Sequence, residues 1–281
     1  MKIGLYYSTT GNNNGPGKVV SNLVKGLEMC GIEVLHNQEG QYNGCLQSWG
    51  TPIRHMNPNT IVGPNLCVIP TECPWVWTRF SNMVVPSEWN KEMYETFDCI
   101  KTGITRINVW AVGIDTDKFC PIDDDKKWDV LLYVKGREEE AKEIVKFLEQ
   151  KRLRVVVICY GKYTEEQLIK FARESKCCIL LTKTESQGIG YQEILSMGVP
   201  CYVINKSVWD DYIGWSFPAT SVPYFDERCG VIEKNMMNFE IFYDGVQSYN
   251  PRQYIIDNLE LSDAAKKYVN ILENKCLILK K

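Results

Sequence analysis

Two glutamates eight positions apart, Glu185 and Glu193, bracket a glycine-containing turn, Glu185-Ser186-Gln187-Gly188-Ile189-Gly190-Tyr191-Gln192-Glu193. A carboxylate accepts hydrogen bonds from two neighbouring hydroxyls at once. A pair of them around one loop therefore suits a polyhydroxylated ligand such as a sugar. Between the acids, the backbone N–H groups of Gly188, Ile189 and Gly190 fall where a helix begins. Such groups favour an anion, typically phosphate, and glycine lets it approach the backbone closely. The chemistry these residues suggest is the binding of a sugar joined to a phosphate. Two surface glutamates beside an ordinary strand-to-helix loop are the plain alternative.

The elements that must hold this loop are legible on either side of it. Cys177–Leu181 is a short continuous apolar run and reads as a buried strand. Thr184–Gly188 is polar and reads as the connecting loop. Ile189–Met197 carries apolar residues at helical spacing, Gly198 stands at the helix stop, and Pro200 prevents continuation. Cys201–Ile204 is a second apolar run. The segment is a βαβ unit with a parallel strand pair.

With Ser186, Gly188, Gly198 and Pro200 in place, this stretch resembles the Glu-x7-Glu signature of retaining glycosyltransferases with the GT-B fold, in particular glycosyltransferase family 4. Val109–Pro121, with Gly113-Ile114-Asp115, Phe119 and Pro121, is similar to the segment that ends the N-terminal domain in that family. Gly136, Arg137 and Lys142 match the spacing of the family's G-R-x4-K element. The Val85-Pro86-Ser87-Glu88-Trp89 segment resembles the family's strand–Pro-Ser-x-Trp stretch. The Gly-rich Ser8–Gly17 loop, with Gly15 and Gly17, breaks the G-x-G-x-x-G pattern of dinucleotide-binding dehydrogenases and resembles the first loop of GT-B enzymes.

The resemblance implies an α/β protein of the GT-B fold, two Rossmann-like doubly wound domains facing each other across a cleft. Residues 1–122 would form an acceptor-side domain and 123–252 a nucleotide-sugar domain. Residues 253–281 would be helices packing back on the first. It also implies site roles. Glu185 binds hydroxyls of the transferred sugar, and Glu193 binds the ribose. The amides of Gly188, Ile189 and Gly190, with Arg137 and Lys142, neutralise the leaving diphosphate; Ser186, Lys135, Gly15 and Gly17 complete the donor set. Arg offers a forked donor suited to phosphate oxygens. Lys142 lies among Glu138, Glu139, Glu140 and Glu143, so a surface ion pair is its competing role.

The implied activity is metal-independent, retaining transfer of a hexose to a glycan acceptor, with mannose from GDP-mannose the first expectation on family frequency. A UDP-sugar-using transferase or epimerase of the same fold stays open. So does a non-catalytic nucleotide-sugar or glycan-binding module, because neither His36 nor His55 aligns with the family's N-terminal-domain histidine. Asp115-Thr116-Asp117 fits the D-x-D metal motif of the GT-A fold, which would not explain the Glu-x7-Glu unit. The compact, Asn-, Cys- and Tyr-rich chain resembles versions encoded by large DNA viruses or found in bacterial surface-polysaccharide clusters.

Composition bounds the rest. The 281 residues fit one large or two ordinary domains, and a net charge of −3 gives no electrostatic case for nucleic acid. No apolar run is long enough to span a membrane, and Met1-Lys2 leads into a strand pattern rather than a signal peptide. Twelve cysteines without a C-x-x-C pair, and only two histidines, argue against zinc. They read as free buried thiols in a reducing compartment, hence a cytoplasmic location. Homodimerisation stays open.

Along the remaining chain, strands are expected at Lys2–Tyr7, Ile32–Leu35, Leu66–Ile69, Met83–Val85, Trp128–Val134 and Arg154–Tyr160. Helices are expected from about Lys18, and over Pro251–Leu259 and Asp263–Asn274. Gly40–Asn59 reads as loop and Trp209–Tyr224 as irregular. Ser87 is an expected N-cap, and Thr164-Glu165-Glu166-Gln167 an expected capping box. Trp75 and Trp77 suit either a sugar face or the core.

Overall fold

The computed structural model describes residues 1–8, 15–49, 56–57, 59–102, 106–122, 125–212 and 214–278, with side chains as far as Asn274. The chain divides into two compact units, Met1–Gly113 with Leu261–Lys281, and Ile114–Glu260.

The first unit runs β1 (Lys2–Tyr6), α1 (Gly15–Met29), β2 (Glu33–His36), β3 (Tyr42–Gln47), β4 (Ile61–Asn65), α2 (Pro74–Arg79), β5 (Asn82–Val85), α3 (Glu88–Glu95), α4 (Asp98–Lys101) and β6 (Arg106–Val109). Its described strands form one sheet of order β2-β1-β3-β4-β5-β6, every pairing parallel. Helices separate β1 from β2, β4 from β5 and β5 from β6, as in a doubly wound fold, while β2, β3 and β4 follow one another with no helix between them among the described residues. Ile3, Leu5, Val62, Met83 and Val84 are wholly buried in it.

Several expectations in this unit are corrected. The stretch read as loop, Gly40–Asn59, contains strand β3. Its sequence, Tyr-Asn-Gly-Cys-Leu-Gln, is poor in β-branched residues, so propensity hid it. Gly44 is required there because a Cβ would collide with the Tyr268 hydroxyl. The strand expected at Leu66–Ile69 lies earlier, at Ile61–Asn65. The helix after the first strand starts at Gly15, not near Lys18, so Gly15 and Gly17 are helical residues rather than loop. Residues 9–14 of the Gly-rich loop, and His55, lie outside the described residues. Cys67 and Cys73 form a disulfide, against the reading of all cysteines as free thiols. Among the described residues, Cys45, Cys177, Cys178, Cys201 and Cys229 are free and buried, as that reading expected. Ser87 does precede α3, but its hydroxyl donates to Asn90 Oδ1 at 2.8 Å instead of capping the backbone. Trp77 belongs to the core, and its indole N–H donates to the Pro70 carbonyl at 2.6 Å.

The second unit runs β7 (Trp128–Lys135), α5 (Glu138–Gln150), β8 (Val155–Cys159), α6 (Glu165–Arg173), β9 (Ser175–Thr182), α7 (Ile189–Ser196), β10 (Cys201–Ile204), β11 (Val208–Trp209), β12 (Phe217–Pro218), β13 (Gly230–Glu233), α8 (Phe239–Asp244) and α9 (Pro251–Leu259). Its main sheet has the order β13-β10-β9-β7-β8, again all parallel. β7 and β9 are buried almost throughout, which is why they read as continuous apolar runs rather than alternating ones. Val130, Leu132, Ile179 and Leu181 meet Ala141, Ile144 and Leu148 of α5 in one core. The Thr164–Gln167 capping box forms as expected and fixes the start of α6. The stretch read as irregular, Trp209–Tyr224, holds part of the β11–β12 hairpin, and residues 226–238 supply the edge strand β13.

The chain then closes with α10 (Leu261–Ile278), which packs on α1 of the first unit. Gly26 lets the two helices approach, since a Cβ there would stand 2.5 Å from the Leu261 carbonyl oxygen. The Trp110 indole N–H donates to the Ala264 carbonyl at 2.7 Å. Ile114 and Glu260, the first and last residues of the second unit, meet in a parallel β-bridge.

Candidate active site

In an open parallel sheet, ligands bind beyond the carboxyl ends of the strands where the strand order reverses. In the second unit the order reverses at β7, from which the chain winds first to β8 and then to β9 on the other side. The last residues of these neighbours, Lys135 of β7 and Thr182 of β9, are in register. The Glu185 loop leaves the sheet at this point.

Lys135 Nζ lies 2.8 Å from Glu185 Oε2. The ammonium also stands 4.4 Å from the centroid of the Tyr160 ring, a cation–π contact. Glu185 is only 8% exposed, and its N–H donates to the Thr220 carbonyl at 2.9 Å. Burial pushes the Glu185 carboxyl above its usual range, and the charge and hydrogen bond of Lys135 oppose that rise. The result is a desolvated acid held beside one cation.

Helix α7 starts immediately after. Gly188 is its N-cap in the left-handed conformation, φ 78°. A Cβ there would run into the Tyr191 ring. Ile189 and Gly190 fill the first turn, where backbone N–H groups have no intrahelical acceptor. A Cβ on Gly190 would come within 2.8 Å of the Tyr133 hydroxyl. That hydroxyl meets Tyr163 Oη at 3.2 Å. Burial raises both phenols, Tyr163 to about 12, with the charges of Glu193 and Glu185 adding to the Tyr163 shift. The two tyrosines and Tyr160 are site neighbours that sequence reasoning missed. Tyr133 sits inside an apolar strand, and nothing in the spacing marks the others.

The remaining nominated residues fall in different places. Glu193 is 1% exposed, on α7. Ser186 is exposed at the loop surface. Gln187 and Gln192 brace the loop, Gln192 Nε2 donating to the Gln187 carbonyl at 2.7 Å. Arg137 stands at the N-cap of α5 after Gly136, itself at φ 69°. Its guanidinium donates to both Glu140 oxygens, at 2.7 and 2.6 Å. It also donates to the Ile204 and Thr182 carbonyls at 2.6 and 3.3 Å, tying together the ends of β9 and β10. Lys142 lies on the solvent face of α5, its side chain 73% exposed and paired with Glu139 at 2.8 Å. Gly15 and Gly17 belong to the first unit.

Among the described residues, no group of three His, Cys, Asp or Glu side chains is placed to hold a metal ion. Asp115 of the D-x-D triplet is buried, with Oδ1 accepting from the Lys118 N–H at 3.2 Å.

Two parallel sheets of doubly wound order, one per unit, are the parts of the GT-B fold, and solved structures bear this out. The chain is similar to sucrose-phosphate synthase from Thermosynechococcus elongatus, with a TM-score of 0.62 and 11% identity over 100% of both chains. It is also similar to WaaG, a glycosyltransferase involved in lipopolysaccharide biosynthesis, with a TM-score of 0.53 and 9% identity over 97% of this chain and 99% of that one. No family model matches the sequence, and no curated protein does. The fold is therefore GT-B, built from two Rossmann-like units. Among the described residues no helix is long and apolar enough to cross a membrane.

Proposed function

We propose that the protein is a glycosyltransferase that moves a hexose from a nucleotide-diphosphate sugar to a glycan acceptor. The observation that carries this reading is the Lys135–Glu185 pair at the strand-order reversal of the second unit, next to the Gly188–Gly190 start of α7. Glu185 accepts from hydroxyls of the transferred sugar, and Glu193 from the ribose. The α7 amides take the diphosphate. Charge grows on that diphosphate as the sugar–phosphate bond breaks, so preorganised donors stabilise the transition state more than the ground state.

Lys135 is the cation nearest this chemistry. Arg137 joins it when the diphosphate displaces Glu140. We place the enzyme with the retaining, metal-independent GT-B transferases of family 4, reacting on one face of the sugar without a protein nucleophile. GDP-mannose is the first donor to try. The two solved neighbours, a sucrose-phosphate synthase and a glycosyltransferase involved in lipopolysaccharide biosynthesis, support the general class.

The test is calorimetric titration with a panel of GDP- and UDP-sugars, followed by turnover in EDTA, for the native chain and Glu185→Ala. Donor binding and EDTA-insensitive turnover, both weakened in the variant, support the reading. Absence of binding by any nucleotide sugar overturns it. A second reading, a non-catalytic nucleotide-sugar or glycan-binding module, is favoured by the pairing of Arg137 with Glu140 and of Lys142 with Glu139. Tight binding without turnover would select it.

A further inference from the structure

The β11–β12 hairpin carries four aromatic rings in a row. Tyr212 and Trp209 have centroids 6.3 Å apart with planes 17° from parallel. Trp209 and Phe217, cross-strand partners, follow at 6.0 Å and 28°, and Phe217 and Trp215 at 5.9 Å and 12°. Rings in full face-to-face contact would stand about 3.5–4 Å apart. The centroid separations here fall instead in the range of offset-stacked aromatic pairs. The inner Trp209 is buried, while the outer Tyr212 and Trp215 are 38% and 39% exposed.

The hairpin is fixed to the Glu185 loop. At its base, Asn205 Oδ1 accepts from the Ser221 N–H at 2.8 Å and from the Thr220 hydroxyl at 3.1 Å. The Thr220 carbonyl in turn accepts the Glu185 N–H at 2.9 Å. Further out, Lys183, two residues before Glu185, pairs with Asp211 at 2.6 Å. The row of rings is thus a built extension of the same sheet end that carries Glu185.

Exposed carboxylates and lysines stand among these rings: Asp210 with Lys206 at 3.5 Å, and Asp211 with Lys183. Flat apolar faces beside hydrogen-bonding groups match a pyranose, whose C–H face is apolar and whose rim is hydroxyl. Other occupants fit less well. An anionic lipid surface needs a net basic patch. A single-stranded nucleic acid needs a basic groove, and the two acids here balance the two lysines.

We propose that this hairpin is a carbohydrate-binding platform on which Tyr212 and Trp215 stack successive sugar units of a glycan. Its role as the seat of the acceptor chain rests on the transferase reading above; the binding of sugar to the rings does not.

The test uses the full chain on a glycan array, then calorimetric titration of the best array hit with native protein, Trp215→Ala, Tyr212→Ala and Trp215→Phe. UDP and GDP are titrated in parallel. Each exposed ring removed is expected to weaken glycan affinity about tenfold, a change of about 1.4 kcal/mol. Trp215→Phe should keep most of it, with nucleotide affinity and melting temperature unchanged. The Trp215 indole N–H resonance should move on glycan addition. An array with no hit, glycan affinity unmoved by Trp215→Ala, or an indole that responds to nucleotide and not to glycan would each overturn the platform. If the rings bind glycan and no nucleotide sugar binds, the platform stands and the transferase reading falls. Turnover that is indifferent to both rings does the reverse.

Discussion

Lys135 Nζ and Glu185 Oε2 lie 2.8 Å apart at the carboxyl end of the central strands, with the acid nearly excluded from water. Burial raises the carboxyl and the lysine restrains that rise. A raised folded-state pKa means that this group's contribution to stability is fully present below the ordinary carboxylate range of about 4.3. It is lost as pH rises through the raised value. Ligand binding through the ionised carboxylate runs the opposite way and strengthens over the same interval. In Lys135→Met the carboxyl should titrate at still higher pH, followed by NMR of the Glu185 side chain. Glu185→Ala should lower kcat/KM about tenfold to a hundredfold, the worth of one or two charge-assisted hydrogen bonds. Unchanged kcat/KM would remove Glu185 from the site.

Gly188 and Gly190 should respond differently to alanine. Gly190→Ala brings a methyl against the Tyr133 hydroxyl, which is backed by Tyr163. It should cost about 1–2 kcal/mol in urea unfolding, an ordinary overpacking penalty, and raise the donor KM. Gly188→Ala adds a left-handed backbone to a collision with Tyr191. About 2–4 kcal/mol is expected there. Equal costs for both would contradict the packing described.

Arg137 and Glu140 give a test of how the diphosphate is held. Arg137 keeps the Glu140 carboxyl below its usual range, chiefly through their hydrogen bonds. If the ligand's phosphates replace Glu140 on the guanidinium, Glu140→Gln should tighten UDP or GDP binding several-fold. Arg137→Lys should weaken it and also cost about 1–3 kcal/mol of stability, because the Thr182 and Ile204 carbonyls lose their shared donor. Calorimetry of the two variants separates these effects. Weaker nucleotide binding in Glu140→Gln would rule out the exchange.

Asp129, at the other end of β7, should make the fold less stable in acid. Burial alone would raise its carboxyl, but hydrogen bonds from Arg154 and Lys176 hold it well below the usual range. The lysine stands 2.7 Å from Oδ1. A depressed folded-state pKa contributes stability that is complete above the unfolded value of about 3.9 and is lost as pH falls toward the folded one. Asp129→Asn should cost about 2 kcal/mol at neutral pH and flatten the loss below pH of about 4. A melting temperature with the same acid slope as the native chain would refute this.

The sequence revealed most where local signals and tertiary packing agree. From β9 through α7 to β10, an unbroken apolar strand, a glycine turn and a Gly-Pro stop each say the same thing, and strand β10 falls at the expected residues. β3 was illegible because its stability comes from elsewhere: Asn43 and Gly44 disfavour a strand, and the reason for Gly44 is Tyr268, far along the chain. Spacing found Lys142 without showing which way it faces. The inner face of α5 belongs to Ala141, Ile144 and Leu148, and Lys142 is turned from it into solvent. Arg137 is nominated by type and place alone, and its attachment to two strand-end carbonyls follows from sheet order, which no single stretch encodes. The Cys67–Cys73 link escaped because a five-residue gap between cysteines matches no common framework.

The meeting of Ile114 with Glu260 makes the second unit a loop of chain whose entry and exit coincide; the Ile114 N–H donates to the Leu259 carbonyl at 2.7 Å. A segment with touching ends can be lifted out and joined head to tail without stretching its backbone. The unit that carries Glu185 and Glu193 is thus a portable cassette, which a circularly permuted version opened at a surface turn could carry into other scaffolds.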